Sequence, residues 1–431
     1  MGEQKLRGTL AVAVIFILCL SFFSTFAAKA TAQQASPDWS MFRANPSHSG
    51  TGTGNPVLTP TLLWNYTFTK GLLVDSSSAV VSGVVYVDSN DKNIYALNAI
   101  TGTQLWNYTI DGGISSPAVV GGVVFIGSWN NVYALKATNG AKLWDFTLLN
   151  GTGADVESSP TVVGDVVYIG ADEGGVYALN ATSGAQIWHY IIDNDDNVLV
   201  ESSPAVVNGI VYFGADDKNV YALNAATGDK LWNYTTGLYV DSSPAIIGGV
   251  VYVGSWDGDV YALDAASGAK MWNYTTGSYV ASSPAVVNGI VYVGSQDGNL
   301  YALNATNGAK LWNYAVSATV HIYPFPTSSP AVVKGVVYVG SYNGDVYALN
   351  ASSGAKLWNY TTSGMVLSSP AVANGVVYVG GGNTVYALGI YALNASPTSS
   401  NTLPVIIGVI VVVVIVATVV FLMFQKRFKL K

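Results

Sequence analysis

The chain has 431 residues, of which 10% are charged and 12% aromatic, and it carries 46 glycines and a formal net charge of −7. This composition is typical of a β-rich extracellular protein rather than a helical cytosolic one. No basic cluster precedes the C-terminal tail, so we expect no nucleic-acid partner. The single cysteine, Cys19, excludes a disulfide framework and a cysteine-ligated metal.

The N-terminal segment has the order of a secretory signal. Lys5 and Arg7 precede an apolar run from Leu10 to Ala28, and the small residues Ala30-Thr31-Ala32 follow. This order predicts a signal peptide over residues 1–32 and a leader over residues 33–57. A retained N-terminal membrane anchor is the alternative.

One unit then recurs along most of the chain, as in Ser282–Tyr314. It contains four short runs of β-favouring residues, separated by Asn288-Gly289, Asp297-Gly298 and Asn307-Gly308. Asn-Gly and Asp-Gly favour the tight turns of β-hairpins because both residues tolerate positive φ angles. The unit is therefore predicted to be a four-stranded antiparallel meander, with strands A to D.

The repeat occurs eight times. Tryptophans preceded by an aliphatic residue are 38 to 46 residues apart: Trp64, Trp106, Trp144, Trp188, Trp232, Trp272, Trp312 and Trp358. Serine pairs that open each unit begin at Ser76, Ser115, Ser158, Ser202, Ser242, Ser282, Ser328 and Ser368. Four strands repeated about every 40 residues indicate an all-β, eight-bladed β-propeller over residues 58–395.

The two series are out of phase at the ends of the repeat region. Trp64 precedes the first serine pair, and no such tryptophan follows Ser368. The last blade thus lacks its outer strand D, while the first tryptophan belongs to a strand without a blade. We expect Leu62–Thr67 to complete the last blade and close the ring, which removes two free sheet edges.

The eight tryptophans are predicted to be structural. In the pattern that runs from Ala302 to Trp312, the indole can pack on the backbone of the next blade while its N–H reaches a carbonyl.

The motifs "YALNATNGAKLW" and "SSPAVVNGIVYVGSQDGN" resemble the pyrroloquinoline-quinone (PQQ) repeat, from about Trp64 to Leu388. The segment Asp38–Gly50 also looks like the one that precedes such propellers. The resemblance implies an eight-bladed PQQ-like (quinoprotein-type) propeller. Similar repeats serve quinoprotein dehydrogenases and the non-enzymatic outer-membrane assembly lipoprotein BamB, so fold alone does not give the function.

The resemblance places this chain in the BamB-like, non-enzymatic branch. The dehydrogenases of the family resemble one another in a Ca²⁺ held by carboxylate and amide oxygens, a catalytic Asp, a Trp beneath the quinone and often a vicinal disulfide. Here the disulfide is impossible, the long insertions that build the quinone pocket are missing, and no residue set departs from the repeat pattern. We therefore expect no catalytic residue and no cofactor. PQQ and Ca²⁺ would be bound only under the dehydrogenase alternative.

In such a propeller the linkers from strand D to the next strand A share one face with the B–C loops. These segments vary in sequence, whereas the turns of the other face are nearly uniform, so binding is expected on the variable face. Four carboxylates directly precede the strand-A serines: Asp75, Glu157, Glu201 and Asp241. The predicted acidic mouth suits a basic partner segment or a divalent cation; solvated turn carboxylates are the alternative.

Aromatic residues on the same face form the second candidate feature. Trp129, Trp256 and Tyr342 occupy equivalent B–C positions, and the long linker Ala315–Thr327 adds Tyr323. Aromatic rings beside carboxylates and amides suit a peptide or sugar ligand, and packing between loops is the alternative.

Asn-x-Ser/Thr sequons recur on the predicted outermost strands. Five share the Trp-Asn-Tyr-Thr pattern: Asn65, Asn107, Asn233, Asn273 and Asn359. In a host that glycosylates exported proteins they would coat the rim of the propeller with sugar. The alternative is that the pattern simply favours an edge strand.

The C-terminal segment predicts a membrane anchor. Leu403–Phe424 carries no charge, and at about 1.5 Å per residue it matches the ~30 Å hydrocarbon core of a bilayer. It follows a short linker, residues 396–402. Four basic residues lie in the tail, residues 425–431, and the positive-inside rule assigns that tail to the cytoplasm.

These features together predict a single-pass plasma-membrane protein with an extracellular propeller. The leading hypothesis is a non-catalytic scaffold that binds a protein or a glycan of the cell envelope. A PQQ/Ca²⁺-dependent dehydrogenase, or a relic of one, and a structural envelope glycoprotein are the alternatives.

Overall fold

The computed structural model describes residues 38–52, 54–69, 73–112, 115–148, 156–172, 175–192, 198–316 and 328–389. Contacts divide the chain into two units, Met1–Ile390 and Tyr391–Lys431, and every described residue lies in the first. The predicted signal peptide, linker, membrane segment and cytoplasmic tail lie outside the described residues. Within the described ranges no helix is long and apolar enough to cross a membrane.

The described chain forms eight antiparallel sheets of four strands, and a short strand, β1 (Thr51–Gly52), is added in parallel to one of them. The inner strands A are β3 (Ala79–Val81), β7 (Ala118–Val120), β11 (Thr161–Val163), β15 (Ala205–Val207), β19 (Ala245–Ile247), β23 (Ala285–Val287), β27 (Ala331–Val333) and β31 (Ala371–Ala373). The strands B are β4 (Val84–Ser89), β8 (Val123–Ser128), β12 (Val166–Ala171), β16 (Ile210–Gly214), β20 (Val250–Gly254), β24 (Ile290–Gly294), β28 (Val336–Gly340) and β32 (Val376–Gly381).

The outer half of each sheet follows the same order. The strands C are β5 (Asn93–Asn98), β9 (Asn131–Lys136), β13 (Gly175–Asn180), β17 (Asn219–Asn224), β21 (Asp259–Asp264), β25 (Asn299–Asn304), β29 (Asp345–Asn350) and β33 (Thr384–Gly389). The strands D are β6 (Gln104–Thr109), β10 (Lys142–Thr147), β14 (Gln186–Ile191), β18 (Lys230–Thr235), β22 (Lys270–Thr275), β26 (Lys310–Ala315), β30 (Lys356–Thr361) and β2 (Leu62–Thr67). We number the blades 1 to 8 in the order of their strands A.

The N-terminal strand closes the ring. β2 pairs with β33 of blade 8, with Trp64 opposite Ala387 and Thr67 opposite Thr384. Neighbouring strands A contact one another around the circle, including β31 with β3. The predicted eight-bladed propeller of four-stranded blades is thereby confirmed, together with the pairing that completes its last blade.

The hydrophobic core lies between blades rather than inside one sheet. In each layer, apolar side chains of one blade meet those of the next; Tyr212 of blade 4, for example, packs with Val251 and Tyr261 of blade 5. A single meander cannot bury both of its faces, so ring closure is what completes the core.

Every strand-D tryptophan hydrogen-bonds to the following blade. The indole N–H donates over 2.9–3.1 Å to the carbonyl of Ala99, Ala137, Ala181, Ala225, Ala265, Ala305, Ala351 or, from Trp358, Val57. For every one of these tryptophans except Trp358, a glycine of the same turn lies beneath the ring. A Cβ added at Gly140 would lie 2.6 Å from the Trp106 ring, which explains the glycine that ends each C–D turn.

A ring of serines links the inner strands. The second serine of each opening pair donates its backbone N–H, over 2.9–3.0 Å, to the hydroxyl of the corresponding serine in the next blade. The last bond runs from Ser369 to Ser77, so the circle of eight is complete. These buried bonds satisfy backbone groups that no sheet ladder pairs.

The predicted leader is built into the propeller. The carbonyls of Trp39, Ser40, Pro46, Ser47, Ser49 and Gly50 accept N–H groups from the strands A of blades 1, 2, 4, 5, 6 and 7. In blade 3, His48 Nε2 lies 3.0 Å from Thr161 Oγ1. Residues 39–50 therefore fill the axis of the ring.

Arg43 is buried in this axial segment. Its guanidinium donates to the carbonyls of Pro284 and Pro330, at 2.8 and 2.5 Å, and only 1% of the residue is exposed. Burial lowers the pKa of Arg43 to about 9. Burial and the Arg43 charge lower the pKa of His48 to about 3, so His48 is neutral at physiological pH.

Candidate functional site

The D–A linkers and the B–C loops meet on one face, which we call the variable face. The backbone N–H of Trp256, in a B–C loop, donates to Tyr239 O in the preceding linker at 2.9 Å. The N–H of Gln296 makes the same 2.9 Å bond to Tyr279 O. The loops of one blade and the linker before it therefore form a continuous surface.

The aspartates of the B–C turns have structural partners. Asp257 Oδ2 accepts the N–H of Gly237 at 2.6 Å and the hydroxyl of Tyr261 at 2.7 Å. Asp297 makes the equivalent bonds to Gly277 and Tyr301 at 2.8 and 2.6 Å. These carboxylates hold the turns in place.

Three of the four carboxylates before strand A lie in consecutive blades and interact. Burial and, to a smaller extent, the negative charges of Glu157 and Asp216 together raise the pKa of Glu201 to about 7. Burial also raises the pKa of Asp241 well above its usual range, with Glu201 and Asp216 adding to the effect. We call Glu157, Glu201, Asp216 and Asp241 the acidic cluster.

Asp216 and Asp241 interact across a linker. The interaction between the two carboxyl groups adds to the rise in the pKa of Asp241 and opposes the rise in that of Asp216, so Asp241 keeps its proton to higher pH. Asp241 holds the higher pKa because it is the more deeply buried of the two. Neutral pH thus leaves the cluster only partly ionised, and a cation placed against it would displace a proton.

A row of aromatic rings borders the acidic cluster. The rings of Trp256 and Tyr279 stack with centroids 5.3 Å apart and planes at 16°, and Tyr239 lies 5.4 Å from Trp256 on a tilted plane. Tyr239 and Tyr279 remain 40% and 39% exposed. The Trp256 indole offsets part of the rise in the pKa of Asp241, which places the end of the row beside the cluster.

A pocket of about 460 Å³ opens along this aromatic row. Its walls include Leu238, Trp256, Asp257, Ser278, Tyr279 and Gln296, from the linkers and B–C loops of blades 5 and 6. Stacked rings with polar groups around them bind planar or amphipathic groups, such as the side chains of a peptide.

The other predicted residues of this face lie apart. Asp75, in blade 1, accepts a 3.4 Å bond from Asn90, and burial raises its pKa. Trp129, in blade 2, is 54% exposed and has a φ of 43°, with the Lys92 ammonium 5.6 Å from its ring centroid. Tyr342 is partly buried in blade 7, and Tyr323 lies outside the described residues.

Two members of the site were missed in the sequence. Tyr239 and Tyr279 occupy the same place in "GLYVDSSP" and "GSYVASSP", two residues before the pre-strand position. That shared position was the signal for an aromatic row running through the linkers.

The described residues do not form the dehydrogenase metal site implied by the resemblance. Among the described residues, no group of three or more His, Cys, Asp or Glu side chains converges on one metal ion. The axis of the ring is also filled by Arg43 and His48. We therefore derive no chemical step through a quinone or a calcium ion.

Known proteins share this fold. The family described as outer membrane protein assembly factor BamB matches residues 58–214, 128–279, 199–322 and 321–396. BamB from Moraxella catarrhalis is 22% identical, with a TM-score of 0.62 over 77% of this chain and 98% of that one. Quinohemoprotein alcohol dehydrogenase from Comamonas testosteroni is 17% identical, with a TM-score of 0.69 over 84% and 82%.

A computationally designed protein, Ika8, has the same architecture. It is 18% identical, with a TM-score of 0.65 over 78% of this chain and all of that one. No curated protein sequence matches the chain. At these identities the structural likeness shows the fold alone, whereas the family match spans most of the chain: the protein belongs to the PQQ-like propeller family described as outer membrane protein assembly factor BamB.

Proposed function

We propose that this protein is a non-catalytic scaffold of the cell envelope that binds a partner protein through its variable face. The observation that carries the proposal is the junction of the acidic cluster with the aromatic row at Asp241 and Trp256. Partly buried carboxylates beside exposed rings match a partner segment that presents lysine or arginine.

The proposal includes the membrane arrangement predicted from the sequence. Residues 1–32 would direct export, residues 403–424 would anchor the chain, and residues 425–431 would face the cytoplasm. The support is the order of apolar and basic segments around the repeats. The family match adds a precedent for a propeller that works at the envelope.

Neutralisation of the acidic cluster tests the proposal. The full chain is solubilised from its native envelope, and captured proteins are compared for the wild type and the double variant Glu201→Gln/Asp241→Asn. A matched control, Asp165→Asn/Asp229→Asn, removes two exposed carboxylates from turns of the opposite face.

We expect the cluster variant to capture at least tenfold less partner protein than the wild type, and the control variant to capture as much as the wild type. A discrete partner that both variants retain would exclude the acidic cluster as its binding site.

A further inference from the structure

Eight described sequons fall into two structural classes. Five lie on strands D at the rim: Asn65, Asn107, Asn233, Asn273 and Asn359. Three lie where strand C enters the C–D turn: Asn180, Asn304 and Asn350. The C–D turns belong to the face opposite the variable face, so the two classes would carry sugar to different parts of the propeller.

In the rim sequons, the two side-chain groups on which glycosylation depends, the asparagine amide and the threonine hydroxyl, already make hydrogen bonds. Asn233 Nδ2 donates to Asn219 Oδ1 at 3.0 Å, and Thr235 Oγ1 donates to the same oxygen at 2.6 Å. In blade 5, Asp259 accepts from both Asn273 Nδ2, at 2.8 Å, and Thr275 Oγ1. One side chain of strand C thus holds both the amide and the hydroxyl of the sequon.

The same clasp forms around Asn107 and Asn359. Asn93 accepts from Asn107 at 3.2 Å and from Thr109 at 2.8 Å. Asp345 accepts from Asn359 at 3.4 Å and also from Thr361. Blade 8 is an exception because a threonine, Thr384, stands at the acceptor position.

In the turns, the asparagine uses its oxygen instead. Asn180 Oδ1 accepts the N–H groups of Thr182 and Ser183, at 3.0 and 2.9 Å. Asn304 and Asn350 make the same turn bonds through Oδ1. None of the three Nδ2 groups donates a hydrogen bond to a described residue, and Thr182, Thr306 and Ser352 are exposed.

We infer that Asn180, Asn304 and Asn350 are N-glycosylation sites of the folded protein, while the clasped rim asparagines remain unmodified. The amide nitrogen would bond to the anomeric carbon of a sugar carried on a lipid pyrophosphate. The lipid pyrophosphate leaves, and the amide proton passes to a base of the transferase. In the turns, the Oδ1 bonds are retained after this reaction because only Nδ2 is substituted.

This inference depends on the proposed export of the protein, but not on the proposed binding of a partner protein. Its consequence is a propeller with sugar on the face opposite the variable face. The acidic cluster and the aromatic row would then stay uncovered for binding.

Glycopeptide mapping by mass spectrometry of the full chain, purified from its native membranes, tests the inference. We expect at least tenfold higher occupancy at Asn180, Asn304 and Asn350 than at Asn107, Asn233, Asn273 and Asn359. Equal occupancy, occupancy mainly at the rim, or no glycan at any of these sites would each overturn it.

The clasp itself is tested by Asp259→Ala, which frees the amide of Asn273. The matched variant Asp259→Asn keeps an acceptor, as Asn219 does naturally for Asn233. We expect glycan at Asn273 in the alanine variant and none in the asparagine variant. No glycan in the alanine variant, or equal amounts in both variants, would contradict protection by the clasp.

Discussion

At the scale of single residues, two aromatic side chains of a blade share one acceptor on the next. In blade 1, Tyr86 O–H and Trp106 Nε1–H donate to the carbonyl of Ala137, at 3.2 and 2.9 Å. Six further blades repeat this pair with a strand-B tyrosine, and blade 2 has Phe125 instead. Both lone pairs of a buried carbonyl are therefore used wherever the tyrosine is present.

This arrangement predicts that the hydroxyl of the strand-B tyrosine makes a small contribution to the free energy of unfolding. Tyr86→Phe removes one of two donors and leaves the Trp106 bond, so the free energy of unfolding should fall by about 1 kcal/mol. Phe125→Tyr supplies the missing donor to Ala181 and should raise that free energy by up to about 1 kcal/mol. Urea unfolding measures both. A stabilising effect of Tyr86→Phe would contradict the shared acceptor.

Glu201 predicts how stability depends on pH. Its pKa of about 7 in the folded protein exceeds the ordinary value of 4.5. Its contribution to stability is therefore complete below pH 4.5 and is lost as the pH rises through 7. Glu201→Gln removes this titration, so the wild type should lose about 2–3 kcal/mol more than the variant between pH 5 and pH 8.

Urea unfolding at the two pH values provides the measurement, and Asp229→Asn, on the opposite face, serves as the control. If the free energy of unfolding changed equally with pH in the wild type and in Glu201→Gln, that result would contradict a partly buried Glu201 beside the charges of Glu157 and Asp216.

At the scale of strands, a β-bulge explains an exposed apolar rim. In each strand D the register shifts just before the tryptophan, for example between the partners of Ala96 and Leu97. The residue in the bulge, Leu105, is 51% exposed, while Trp106 remains buried. The indole reaches the next blade because the extra residue turns it inward.

The closing strand makes a direct prediction. Thr67 and Thr384 are cross-strand partners, with hydroxyl oxygens 2.9 Å apart. In a Cys19→Ser background, Thr67→Cys/Thr384→Cys should form a disulfide under mild oxidation and stabilise the protein by about 2–4 kcal/mol. Non-reducing electrophoresis and mass spectrometry report the bond. The pair Thr67→Cys/Thr275→Cys is the control, and equal cross-linking of the two pairs would contradict closure through β2.

How far the sequence predicts these elements depends on the range of the interaction. The number of blades and the closure follow from the positions of Trp64 and Ser368, because turn residues and strand periodicity are local signals. The serine ring joins residues about one blade apart, and nothing local marks Ser243 as the partner of Ser203. The path of the leader has no repeat at all, since residues 39–50 take their places from hydrogen bonds to the strands A of seven different blades.

The same limit applies to the proposed binding surface. The sequence indicates acids before Ser158, Ser202 and Ser242, because they interrupt an otherwise constant pattern. The interaction of Asp216 with Asp241 depends on how a B–C loop meets the following linker, which only the assembled ring determines. The stacking of Trp256 on Tyr279 likewise joins two segments of different blades.

At the scale of the whole molecule, a rigid ring presents two unlike faces. One has uniform turns that each contain a glycine, and in its C–D turns an Asn or Asp side-chain oxygen also accepts a backbone N–H. The other has variable linkers that bring the acidic cluster and the aromatic row together. A serine ring and an axial leader hold the blades in register, so a partner would meet a preformed surface.

Site-specific photo-cross-linking in native membranes tests the binding face most directly. A benzophenone side chain is placed at Tyr279, in the aromatic row, or at Ala226, exposed in a turn of the opposite face. We predict a discrete protein adduct from position 279 that is lost with Glu201→Gln/Asp241→Asn, and no such adduct from position 226. The same adduct from both positions, or one that survives neutralisation of the acidic cluster, would contradict binding through the variable face.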